Sequence, residues 1–149
     1  MDWSGRANIT FIKERTMAKS QRDFLRLLNI SDTHCGHVTG LTHPDFDSSP
    51  NKRHPSYKLY TKRRLHWDIL ASEVKSLQPI DILTFNGDAI DGRGEKSGGI
   101  ELIAPDRNEQ VDMVLAIIDM VNAPVVRMTY GTDYHVGVSE NWEDQIAKR

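Results

Sequence analysis

The stretch Leu25-Arg-Leu-Leu-Asn-Ile-Ser-Asp-Thr-His-Cys-Gly-His37 decides how the rest of the chain is read. An apolar run stops abruptly at Asp32, Thr33 and His34, and Gly36 permits a turn just beyond. In an extended chain, residues two apart share a side. Asp32 and His34 are therefore expected to aim a carboxylate and an imidazole at one point past the C-terminal end of a strand. Ligands of open α/β sheets bind at such ends. Asp-x-His alone is equally what an ordinary polar strand end looks like. Two further strand-plus-acid endings make it informative.

A second strand is read at Ile80–Phe85, running into Asn86-Gly-Asp-Ala-Ile-Asp-Gly-Arg-Gly94. A third, Val125–Thr129, follows Ala123-Pro124 and ends in Tyr130-Gly-Thr-Asp-Tyr-His135. Between strands the period turns helical. His66, Leu70, Val74 and Leu77 form a stripe over Thr61–Leu77, with Trp67 and Ala71 beside it and Pro79 as the stop. Asp106 can cap a second helix, with Glu109 three residues on as in a capping box, and Val111, Val114, Leu115, Ile118 and Val121 give its buried face. Alternating strands and helices predict the α/β class, with a mostly parallel sheet and right-handed crossovers. Cys35–Tyr57 is too long for an ordinary connection, and reads either as a substrate-side lid or as a surface excursion. Glu140–Arg149 begins another helical pattern. Residues 1–22 read as a polar, poorly ordered tail with a short strand at Ile9–Ile12 as the competing reading. Residues 23–149 read as one domain.

The bulk properties narrow the function. At 149 residues with 38% hydrophobic content, the chain can bury one real core. A net charge of -2 gives no basic footprint for coating nucleic acid. Lys52, Arg53, Lys62, Arg63 and Arg64 lean locally towards a polyanion such as DNA, although a solvated helix face is the plainer reading of the last three. The lone Cys35 excludes an internal disulfide framework. No run approaches the roughly 18–20 apolar residues of a membrane helix, and no signal-peptide core is visible. A cytoplasmic location without membrane contact is expected.

In a parallel sheet the three endings, Asp32-x-His34, Gly87-Asp88-x-x-Asp91 and Gly131-x-x-x-His135, share one edge. Carboxylates with imidazoles suit Mn, Fe or Zn. Two such ions roughly 3.5–4 Å apart need a bridging ligand, and Asp88, from the middle strand, is the natural one. Asp32 and His34 would hold the first ion. Gly87 lets the backbone turn so that Asp88 projects along its strand. Asp91 is better placed to accept a hydrogen bond from a histidine, and Arg93 to grip a phosphoryl oxygen. Other chemistries fail on spacing. Gly92-x-Gly94 with Gly98 misses the dinucleotide fingerprint, and Gly94-Glu95-Lys96-Ser97 puts an acid where a P-loop needs glycine. His34 and Cys35 are adjacent and face opposite ways, and aromatic residues do not interleave with basic ones as a single-strand platform requires.

Ile30-Ser-Asp-Thr-His34 and Asn86-Gly-Asp-Ala-Ile-Asp91 resemble the calcineurin-like metallophosphoesterase family, the second motif being close to that of its Ser/Thr phosphatase branch. The resemblance spans about Phe24–Gly137. It implies a β-sandwich flanked by helices, of which this chain carries the first βαβαβ part and lacks the C-terminal part. It implies a two-metal phosphoester hydrolase with Mn, Fe or Zn, acting on a phosphomonoester or phosphodiester. A nuclease-like activity on DNA is one branch of that reading. Asp32, His34 and Asp88 would be metal ligands, Asp91 would support them, and His135 would be catalytic or a ligand. The family's Gly-Asn-His is replaced here by Gly131-Thr132-Asp133-Tyr134-His135, so Thr132 or Asp133 would stand for the asparagine ligand. No histidine follows His135, where the family has Gly-His-x-His. A non-catalytic metal-binding or structural remnant of the family is the reading from another class.

Overall fold

The computed structural model describes residues 23–54, 56–93, 98–132 and 142–149. Apolar and β-branched runs form three strands, β1 (Leu27–Ile30), β2 (Ile82–Asn86) and β3 (Val125–Thr129). Among the described residues three α-helices alternate with them: α1 (Tyr57–Leu77), α2 (Arg107–Val121) and α3 (Trp142–Lys148). The sheet order is β1-β2-β3 and both pairings are parallel. The class is therefore α/β, with the strands connected through α1 and α2.

Register places Leu28, Leu83 and Val126 in one row and Ile30, Phe85 and Met128 in another. Both rows join the core formed with Trp67 and Val74 of α1 and Val111, Val114 and Ile117 of α2. The alternate rows, Leu27–Ile82–Val125 and Asn29–Thr84–Arg127, point the other way, and that face is open, with Leu27 56% exposed. Among the described residues there is one sheet rather than a sandwich of two. No helix there is long and apolar enough to cross a membrane.

Asp106 caps α2 by accepting from the N–H of Asn108 at 2.9 Å. At the other end Asn122 adopts a left-handed backbone, φ 51°, and returns its N–H to Ile118. The buried face of α2 is Gln110, Val111, Met113, Val114, Ile117 and Val121. Ile118 and Leu115, expected inside, are half-buried. The stripe of α1 also differs from expectation. Arg63, Trp67 and Val74 are buried while His66 and Leu77 are exposed, so the inward face runs 63, 67, 70, 74. A run of three basic residues had hidden that period, because a paired arginine can occupy a core position.

Its partner is Asp47. The Arg63 guanidinium donates from Nε and Nη2 to the two Asp47 oxygens at 2.9 and 2.8 Å, and from Nη1 to the carbonyl of Val38 at 2.6 Å. Both side chains are almost fully buried. This fork holds the Cys35–Tyr57 connection down, together with a 3₁₀ turn at Pro44–Phe46 and a T-shaped contact of His43 on Trp67 at 4.6 Å. The connection is packed as far as Asp47, whereas residues 51–54 are exposed. Removing one partner of a buried pair strands the other charge, so Asp47→Ala is expected to cost about 3–5 kcal/mol. Urea unfolding checks this, and a loss below about 1 kcal/mol would refute the burial of the pair. An Asp47→Leu/Arg63→Met double variant should recover most of the loss.

Candidate metal centre

β1 and β2 keep pairing after their regular strands end. The N–H groups of Asp32, His34 and Cys35 donate to the carbonyls of Gly87, Asp88 and Ala89, and the N–H of Asp91 donates back to Cys35. The two acid-bearing turns are thereby locked side by side. One ligand atom each from Asp32, His34 and Asp88 lies within 4.8 Å of the others, and the trio could hold a metal ion.

The backbone route to this convergence is not the extended alternation expected from the sequence. Asp32, His34 and Asp88 have φ of 53°, 44° and 43°, and they are three of the four non-glycine residues with positive φ among those described. A left-handed backbone costs an L-residue roughly 1–2 kcal/mol, and Asp and His are among the types that tolerate it. Such outliers collect where a site needs side chains re-aimed. Gly87, φ 74°, makes the matching turn before Asp88, and a Cβ there would lie 3.1 Å from the carbonyl oxygen of Tyr130.

Each ligand candidate is held by a neighbour. Nδ1 of His34 lies 3.2 Å from Oδ1 of the buried Asp91, which leaves Nε2 for an ion. The Asp91 carboxylate beside it holds the imidazole above its ordinary pKa of 6.5 against the opposing effect of burial, and the charges of Asp88 and Asp32 add to it. Since the folded value is raised, the pair stabilises the metal-free fold fully below the unfolded pKa, and that contribution fades as pH rises through the folded value. In metal-free protein, Asp91→Asn is expected to shift the NMR titration of His34 to lower pH. An unmoved midpoint would show that Asp91 does not hold the ring.

Asp88 is gripped from β3. The N–H of Thr132 donates to Oδ1 of Asp88 at 2.7 Å, and its hydroxyl lies 3.1 and 3.4 Å from the two carboxylate oxygens. Gly131 must lack a side chain, because a Cβ would collide with Oδ1 of Asp88. Of the two residues expected to stand for the family's asparagine, Thr132 lies against Asp88; Asp133 and His135 lie outside the described residues. Arg93 is exposed on the turn after Asp91.

An open cleft of about 620 Å³ is lined by Asp32 and His34 of the trio, together with His37, Leu41, His66 and Leu70. Cys35 is fully buried and its thiol is pushed up to about 12 by burial, so no thiolate serves this site. Of the five basic residues read towards a polyanion, Arg63 is committed to Asp47, and Arg64 lies 3.8 Å from Asp68.

Two buried polar side chains near the centre escaped the sequence reading. Gln110 is fully buried; its amide donates to the carbonyls of Gly92 and Ala104 at 2.9 and 2.7 Å and accepts from the N–H of Gly92 at 2.9 Å. Glu143, 2% exposed, accepts from the N–H of Gly131 at 3.3 Å. Burial pushes its carboxyl up, with the charges of Asp88 and Asp144 adding to the shift. The available signal was a polar residue in step with apolar ones: Gln110 with Val114, Ile117 and Val121, and Glu143 beside Trp142 and three before Ile146. Comparison with protein-family models, curated proteins and solved structures finds no match.

Proposed function

We propose that this chain is a metal-dependent phosphoester hydrolase of the calcineurin-like metallophosphoesterase type. The observation that carries the reading is the convergence of Asp32, His34 and Asp88 within 4.8 Å on three left-handed residues. Among the described residues no lysine or arginine forms an ion pair with Asp32 or Asp88, so their charge is left for a cation. The donor set of two carboxylates and an imidazole fits Mn, Fe or Zn. The exposed apolar row around Leu27 also agrees with a fold in which a second sheet packs on that face.

A divalent ion supplies Lewis acidity towards a phosphoryl oxygen and towards water. The chain supplies the rest. Asp32 and Asp88 balance the ion's charge. Asp91 fixes the His34 ring and keeps a proton on Nδ1, so that Nε2 stays a donor. Thr132 fixes the rotamer of Asp88. The cleft beside Asp32 and His34 admits the ester, and His37 and His66 line its approach as donors to phosphoryl oxygens.

The test is hydrolysis of p-nitrophenyl phosphate and of its bis ester with Mn²⁺ present. Turnover is expected, lost on chelation and restored by added metal. The monoester and diester rates separate a phosphatase from a nuclease-like enzyme. No turnover of either ester by metal-loaded protein would defeat the reading.

A further inference from the structure

Among the described residues three polar side chains sit on the buried faces of α-helices: Arg63 on α1, Gln110 on α2 and Glu143 on α3. Two are fully matched. Arg63 has its bidentate carboxylate and a carbonyl, and Gln110 makes three backbone hydrogen bonds. Glu143 is not. Its Oε1 accepts from Gly131, but its Oε2 is buried with no hydrogen-bond partner among the described residues. A buried carboxyl left in that state is costly, and natural cores keep one only with a proton, a partner or a metal.

The position of Glu143 says which. Gly131 is clasped between two carboxylates: its N–H meets Glu143, and its Cα side is so close to Oδ1 of Asp88 that no Cβ fits. Thr132, the next residue, adds a hydroxyl on Asp88. No lysine or arginine among the described residues forms an ion pair with Glu143. Two carboxyl groups therefore flank one residue with no cation from the chain between them.

We propose that Glu143 is a cation ligand, sharing with Asp88 a second divalent ion beside the one assigned to Asp32, His34 and Asp88, with the Thr132 hydroxyl at its edge. The assignment rests on the metal-centre reading above. Asp88 then belongs to both ions. The second site offers only oxygen donors, so it takes a hard cation, Mn²⁺ or Mg²⁺, whereas the first has an imidazole.

The experiment is Mn²⁺ titration of the full chain by calorimetry and EPR, with thermal unfolding measured with and without the ion. Wild type is expected to bind two Mn²⁺ ions with a spin-coupled spectrum. Glu143→Gln should bind one and lose the coupling. Without metal the variant should melt no lower than wild type, because a buried unpaired charge is gone, while Mn²⁺ should raise its Tm less. Glu143→Asp keeps the charge and should retain both ions, the second more weakly. Glu143→Gln that still binds two, or that melts lower without metal and responds to Mn²⁺ as wild type does, would show a purely structural role and overturn the proposal. A single ion in wild type, lost in Asp32→Asn and indifferent to Glu143→Gln, overturns it and leaves the first site standing. No ion in wild type overturns the metal centre itself.

Discussion

Asp88→Asn is expected to lower divalent-cation affinity by on the order of 100-fold or more and to abolish ester hydrolysis, since even losing an outer partner of a metal ligand costs roughly 10–100-fold. The substitution isolates charge from shape. Asparagine tolerates the left-handed backbone found at this position, φ 43°. Its side-chain oxygen can still accept from the N–H of Thr132, which now donates at 2.7 Å. What disappears is the negative charge placed between the β1 turn and Thr132. Metal-free Asp88→Asn should therefore fold at least as stably as wild type, because Asp32 and Glu143 lose a like-charged neighbour. Calorimetric Mn²⁺ titration beside thermal unfolding checks both halves. Unchanged affinity in a folded variant would remove Asp88 from the site.

The second large effect is on stability. Gln110→Leu is expected to cost about 3–9 kcal/mol, because it strands the N–H and carbonyl of Gly92 and the carbonyl of Ala104, at about 1–3 kcal/mol for each buried unpaired group. That is a large share of the roughly 5–15 kcal/mol that holds a domain of ordinary stability. Gly92 directly follows Asp91, so the turn that positions the partner of His34 loses its anchor as well. Cation affinity should then weaken even though Gln110 touches no candidate ligand. Urea unfolding gives the first quantity from the midpoint at unchanged slope. A cost under about 1 kcal/mol would mean the amide is not the clamp its three hydrogen bonds describe.

These two residues differ in how far each could be read before the fold was known. Asp88 announces itself: a glycine, an acid and a strand ending recur in a pattern that chemistry can interpret. The three strands were legible for the same reason, since an apolar run bounded by turn residues has few other uses. Gln110, Arg63 and Glu143 did not announce themselves. Each occupies a stripe position where apolar residues belong, and a sequence does not say whether a polar group there will be matched. The partners lie far along the chain: Asp47 is 16 residues from Arg63, and Gly92 is 18 from Gln110.

The sequence by itself determined the α/β order of elements, the parallel sheet and the choice of Asp32, His34 and Asp88, because periodicity and strand-end chemistry are local. Only the tertiary structure decided how those side chains meet. They converge through left-handed turns locked by β1–β2 pairing beyond the strands, not through extended alternation. It also decided that Thr132, just past β3, meets Asp88 and that Glu143 of α3 accepts from the N–H of Gly131. The reason is physical: backbone handedness and the pairing of buried polar groups depend on contacts between separate segments, from Glu143 with Gly131 at a separation of 12 to Thr132 with Asp88 at 44, which no local pattern encodes.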